Sequence, residues 1–257
     1  MEWPSEIVLI RHATSLHENI RNRRRESPLY RRFLAALKSD PRGDMEETRK
    51  LVRIIRKKFG LNLPNPEMPL VPEALTREIE PTARGMAEVL GLPHAVFVSP
   101  YTRCQLTWEG LKQGWPELGT VETQMDACIR TQAHGVADQY YDPNLFFFFY
   151  PEEKEPRYRL GLFGYRYPGG GETIPDVRVR LRKLTHALRT EFVGRRVWVI
   201  THSRVILALR MEWEGISEEE FNLLESDETL KPIPCGVTRY MSDDDGPKLD
   251  FYNRRFY

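Results

Sequence analysis

The chain has 257 residues, enough for one sizeable α/β domain with insertions or for two small domains. Lys and Arg number 38 against 37 Asp and Glu, a net charge of +1, which argues against a protein that holds nucleic acid or anionic membrane over its whole surface. No run of about 18 uncharged apolar residues is present, Met1-Glu2-Trp3-Pro4 lacks the basic and apolar regions of a secretory leader, and Cys104, Cys128 and Cys235 are scattered and odd in number, so a soluble protein of the reducing cytoplasm is expected.

In chain order, Glu6-Ile7-Val8-Leu9-Ile10 is a short β-branched run that predicts a buried strand ending at Arg11-His12. Residues 20–71 follow as a first interruption, opening with Arg21, Arg23, Arg24, Arg25, Arg31 and Arg32 and continuing as a charged helical pattern. A helix is expected from Thr82 to Leu90, a strand at Ala95-Val96-Phe97-Val98 ending at Ser99-Pro100, and a helix from Arg103 to Gly114. The second interruption, 127–171, is rich in Gly, Pro and aromatics, including Phe146 to Tyr150, and is expected to be a long irregular excursion of the lid or binding-loop kind. Helices at Pro175–Glu191 and Ser203–Met211 flank a strand at Val197-Trp198-Val199-Ile200, which ends at Thr201-His202, and Val237–Tyr240 is a weaker, alternating strand. Strands alternating with helices predict an α/β fold: a doubly wound, mostly parallel sheet with helices on both faces. Neither interruption has an evident core, so residues 1–257 are expected to form one domain with insertions near 20–71 and 127–171 acting as cap or lid segments.

In such sheets ligands bind beyond the carboxyl ends of the strands. Three strands end there in polar residues: Arg11-His12, Ser99 with Arg103, and Thr201-His202. Guanidinium forks match phosphoryl oxygens, imidazole is a competent nucleophile toward phosphorus, and a second imidazole can stabilise the oxygens' charge. Acyl transfer would call for a Ser or Cys nucleophile with its own base, and two His without a nearby carboxylate make a poor metal site. The bland alternative is that Arg11 and His12 only begin a loop.

Val8-Leu9-Ile10-Arg11-His12-Ala13-Thr14-Ser15 resembles the Arg-His-Gly signature of the histidine phosphatase superfamily, also called phosphoglycerate-mutase-like. Ser99-Pro100 followed by Arg103, the run Val199-Ile200-Thr201-His202, and Gly169-Gly170-Gly171-Glu172-Thr173 resemble its further motifs, in family order. The resemblance implies a phosphohistidine nucleophile at His12 and a phosphate pocket from Arg11, Arg103 and His202, with Ser15 and Thr201 alongside. It implies no metal and no organic cofactor, and a small phosphorylated substrate as partner; nucleic acid and membrane are not expected, and self-association as a homodimer is left open.

The departures concern chemistry. Thr14 stands where relatives commonly carry Glu, Glu18 where Asn is usual, and Thr131 where a Glu would protonate the leaving group; a hydroxyl cannot serve as that proton donor. His134, Asp138 and Glu172 are the candidate replacements, with Asp126 slightly upstream, and each also has a structural reading as a loop, capping or turn residue. Ser203 follows the second histidine, which closes the other branch's route to an acid. The expected function is a metal-independent phosphomonoesterase acting through phosphohistidine. The alternatives are a catalytically weakened relative that binds a phosphorylated ligand or partner and, third, a phosphoglycerate-type mutase.

Overall fold

The structure, a computed structural model, describes residues 2–257; Met1, with which the leader expectation begins, lies outside them. In chain order the elements are β1 (Glu6–Arg11), α1 (Leu16–Glu26), α2 (Pro28–Ser39), α3 (Glu46–Phe59), α4 (Glu80–Val89), β2 (Ala95–Val98), α5 (Thr102–Gly114), β3 (Glu122–Met125), α6 (Pro143–Phe149), α7 (Lys154–Gly164), α8 (Ile174–Glu191), β4 (Arg196–Thr201), α9 (Ser203–Glu214), α10 (Glu218–Ser226), β5 (Val237–Asp243) and β6 (Gly246–Arg254). They fall into two compact units. The first takes the chain up to Ser15 together with Pro69–Gln132 and Ile174–Tyr257; the second takes Leu16–Met68 and Ala133–Thr173.

The first unit is built on a sheet of strand order β3-β2-β4-β1-β5-β6. The β3, β2, β4 and β1 strands pair in parallel, whereas β5 and β6 are joined antiparallel to the β1 side. Successive residues of a strand point to opposite faces, and here both faces are covered. Val8 and Ile10 of β1 join Val96, Val98, Trp198 and Ile200 in one apolar cluster, with Ala83 and Met86 of α4 and Trp108 and Leu111 of α5. The alternate residues Ile7 and Leu9 join Phe97, Val197 and Val199 in the other, against Val177, Leu181, Leu184 and Leu188 of α8 and Val205, Ile206 and Leu209 of α9. Burial on both sides is why the central strands read as unbroken apolar runs. The α/β fold with a mostly parallel sheet is as expected from the sequence. The strands β3 and β6 were not anticipated: Glu122–Met125 is almost entirely exposed and β6 has only its first residue buried, so neither carries an apolar alternation.

The second unit corrects two expectations. Segment 127–171 is not irregular throughout, because α6 and α7 lie within it. Asp142 caps α6 by accepting the Asn144 N–H at 2.9 Å, and Pro143 occupies its first turn, where no amide donor is needed. The interruptions also share a core: Tyr30 and Phe33 of α2 and Leu51, Val52, Ile55 and Phe59 of α3 bury against Leu145 of α6. Beside it sits a buried polar group. Arg24 Nη1 donates to Tyr141 O at 2.9 Å, Arg24 Nε lies 3.4 Å from Asp142 Oδ2, and the Tyr30 hydroxyl donates to Asp142 Oδ1 at 3.1 Å. Burial and the Asp142 charge push the Tyr30 hydroxyl up to about 12, so it remains a donor. In the aromatic run, Phe146 is fully buried while Phe149 is 40% exposed, as one helical turn of consecutive aromatics must divide. Among the described residues no helix is long and apolar enough to cross a membrane.

Candidate active site

The site grows from adjacent strand ends in the first unit. Arg11 of β1 stands opposite Thr201 of β4, and Val98 of β2 opposite Ile200. Just past these pairs the backbone stays laced: His12 N–H donates to Thr201 O at 3.0 Å, and Ser99 N–H donates to Ile200 O at 3.0 Å. His12, Ser99 and His202 therefore emerge side by side at the carboxyl edge, where a parallel sheet presents its loops. The Thr201 hydroxyl donates to Ile129 O at 2.7 Å, so this side chain ties β4 to the 127–131 loop rather than adding a donor beside His12.

His12 is held on both ring nitrogens. Its Nδ1 is 2.7 Å from Ala13 O, and Arg103 Nε donates to its Nε2 at 3.2 Å. A carbonyl only accepts and a guanidinium only donates, so both contacts place the proton on Nδ1 and the lone pair on Nε2. Arg103 reaches this position from the first turn of α5, 6% exposed, with its guanidinium carbon 4.9 Å from the centre of the Tyr101 ring. The same helix holds the turn after His12: Thr107 Oγ1 accepts the Ala13 N–H at 3.0 Å and donates to Arg103 O at 2.7 Å.

His202 is packed at 5.2 Å between ring centroids from His12, inclined at 65°. Its Nε2 lies 2.9 Å from Ser99 Oγ and 3.5 Å from Cys104 Sγ, while its Nδ1 is buried without a partner among the described residues. Burial, then the charges of Arg103, His12, Arg11 and Arg180, hold its pKa well below the ordinary histidine value, so it is neutral near pH 7. Burial likewise pushes the Cys104 thiol up to about 12, leaving it protonated and inert. Arg11 is buried at the end of β1 with Nη1 2.6 Å from Pro232 O. Ser15 is buried, and its backbone bridges to Leu70.

The four residues Arg11, His12, Arg103 and His202 thus come together in one unit. The candidate acids have other surroundings. Asp126 accepts the Cys128 N–H at 2.7 Å and caps the turn after it. His134, Asp138 and Glu172 lie in the second unit. Asp138 accepts from Asn65 Nδ2 at 2.9 Å and His134 N at 3.2 Å, and His134 Nδ1 lies 3.4 Å away. Burial would raise its pKa, but these partners outweigh burial and lower it, which suits a fixed anion and not a proton donor. Glu172 closes a turn, its Oε2 accepting Ala133 N–H at 3.0 Å and its own N–H reaching Ala133 O at 2.8 Å. Thr131 O accepts from Arg180 Nη2 at 3.1 Å, one of three loop carbonyls that this side chain gathers with those of Cys128 and Arg130.

Sequence reasoning did not single out Arg180 or Glu78, whose carboxylate binds Thr14. Glu78 belongs to no motif, and Arg180, seven residues after Thr173, is one of several arginines on α8 with no local pattern to set it apart. Thr107 was legible in principle, since it falls one helical turn after Arg103. Among the described residues no group of three His, Cys, Asp or Glu is arranged to hold a metal ion.

The family model described as histidine phosphatase superfamily (branch 1) matches residues 76–255, which take in Arg103 and His202 but not Arg11-His12. No curated protein matches the sequence significantly. Solved structures do resemble it: the alpha-ribazole phosphatase from Shigella flexneri, at 12% identity and TM-score 0.65, covers 97% of this chain and 96% of that one. A mycobacterial glucosyl-3-phosphoglycerate phosphatase with inorganic phosphate, at 15% identity and TM-score 0.62, covers 98% of each. YhfR of Bacillus stearothermophilus, at 15% and 0.61, covers 95% of each. At such identities the likeness concerns the fold.

Proposed function

This chain belongs to the histidine phosphatase superfamily, branch 1, and from that premise we propose that it is a cytoplasmic phosphomonoesterase that hydrolyses a small phosphorylated substrate through a phosphohistidine on His12, as one domain carrying two insertions. The observation that carries this reading is the two-sided hold on His12. With the proton on Nδ1, the attacking lone pair is selected as that of Nε2, and it rests against Arg103 Nε, a donor that turns to the phosphoryl oxygens when substrate enters.

In the proposed reaction, His12 Nε2 forms a bond to phosphorus as the ester P–O bond breaks, and the substrate oxygen leaves. Arg11 and Arg103 offer guanidinium donors to the phosphoryl oxygens. His202, neutral and with Ser99 at Nε2, has Nδ1 left for a phosphoryl oxygen. Water then attacks phosphorus, the P–N bond breaks, and free imidazole and inorganic phosphate are released. Rapid quench during turnover of an aryl phosphate is expected to trap an acid-labile, base-stable phosphoryl group on His12, absent in His12→Ala. Trapping on another residue would overturn the mechanism.

A second reading, a protein that binds a phosphorylated ligand without turning it over, is favoured by one feature: Thr131 stands where the resemblance places a carboxylic acid. Tight oxyanion binding without turnover of even aryl phosphates would select it.

A further inference from the structure

The peptide between Ala13 and Thr14 has its two ends in different company. Its carbonyl, Ala13 O, is 2.7 Å from His12 Nδ1. Its amide, Thr14 N–H, donates to Glu78 Oε2 at 2.8 Å. The other carboxylate oxygen, Oε1, accepts from the Thr14 hydroxyl at 2.7 Å, so Glu78 grips this one residue with both oxygens. Thr14 O in turn accepts Val71 N–H at 3.0 Å, and Ala13 N–H is held by Thr107, which leaves the 13–14 peptide no freedom to rotate. Glu78 approaches from Leu75–Ile79, a single wide turn in which Glu80 N–H bonds back to Leu75 O, a form of helix that recurs where side chains are placed for function.

We propose that Glu78 is a positioning residue for the nucleophile: its carboxylate acts through the Ala13–Thr14 peptide on the Nδ1 proton of His12. The line of contacts is carboxylate, amide N–H, carbonyl, imidazole N–H. A peptide group is conjugated, so an anion bound at N–H draws the proton, increases the negative charge on the oxygen, and strengthens the bond that the oxygen accepts. Two consequences follow for His12. The strengthened acceptor at Nδ1 holds the tautomer with its lone pair on Nε2. When Nε2 bonds to phosphorus the ring becomes cationic while keeping its Nδ1 proton, and that charge develops against the polarised carbonyl, with the Glu78 anion one peptide away. Orienting partners of this kind act on histidine ligands of metals in the same way. Thr14, a departure from the family pattern, adds its hydroxyl as a second donor to Glu78 beside the backbone N–H that carries the relay.

The inference rests on the proposed phosphohistidine chemistry for its kinetic consequence but not for its structural one, so its test has two readouts. Glu78→Gln keeps a carbonyl oxygen for the Thr14 amide and an amide group for the hydroxyl, and removes only the charge. In protein without substrate, the His12 Nδ1 proton is expected far downfield in the NMR spectrum and is expected to move upfield in Glu78→Gln. Phosphorylation of His12 by an aryl phosphate in a single turnover is expected to slow about 10-fold, the lower end of what orienting partners of histidine contribute. Thr14→Val, which deletes the hydroxyl contact and keeps the amide, is expected to leave the proton signal near its wild-type position. An unmoved signal in a folded Glu78→Gln protein overturns the relay, whatever the activity. A signal displaced equally by Thr14→Val assigns the effect to general loosening of the turn and overturns it too. If no variant, wild type included, accepts phosphate on His12, the proposed function fails and the proton signal still decides the relay.

Discussion

Arg103 offers the most direct test of the pocket. Arg103→Ala removes a guanidinium that is 6% exposed, 3.2 Å from His12 Nε2 and stacked over Tyr101. Two opposed changes in stability follow: the stacking, worth about 2 kcal/mol at desolvated sites, is lost, but a buried cation no longer needs accommodation. The folded protein should therefore survive. Ligand binding has no such compensation, because a charge-assisted contact to an oxyanion contributes about 2–3 kcal/mol, which converts to roughly 30- to 150-fold in dissociation constant. Arg103→Lys keeps the charge without the planar fork and should fall between. Isothermal titration with phosphate and vanadate, beside thermal unfolding of each variant, measures both effects. An Arg103→Ala protein that is folded and binds oxyanions within threefold of wild type would show that the anion site lies elsewhere.

A missing carboxylic acid at Thr131 predicts a steep dependence of hydrolysis on leaving-group pKa, and a Thr131→Glu variant that gains more on alkyl than on aryl phosphates, by up to the ~10²–10⁴-fold that a positioned acid supplies; a shallow wild-type dependence would reveal a hidden acid. His202 is neutral in the fold with a pKa well below its ordinary 6.5, so the unfolded chain takes up the proton first. Stability from this residue is complete above pH 6.5 and falls on acidification by up to about 1.4 kcal/mol per pH unit, a slope that denaturant unfolding at pH 7.5 and 5.5 should show reduced in His202→Gln. In the second unit, Asp142→Ala strands the buried Arg24 guanidinium and is expected to destabilise that unit by about 3–5 kcal/mol, read from hydrogen exchange of the α2 and α3 amides; unchanged exchange would mean that water replaces the carboxylate.

Much of the first unit was determined by local patterns. The runs Ile7–Ile10, Val96–Val98 and Val197–Ile200 are apolar at every position because both faces of the sheet are buried, and such runs bounded by polar residues announce central strands whatever surrounds them. The polar residues that end them, His12, Ser99 and His202, were legible as a site for the same reason, since a parallel sheet brings strand ends to one edge. What depended on partners distant in sequence was not legible. The edge strand β3 takes its hydrogen bonds from β2 and has no buried face to mark it. The core of the second unit forms only when Leu145 meets helices more than 80 residues earlier in the chain. Glu78 and Thr14 are 64 positions apart, and no periodicity links them. Local sequence selects strands, helices and the chemistry at their ends, because those depend on which faces are apolar. Only the tertiary structure decides which carboxylate meets which amide, because that depends on a chain path that few local residues specify.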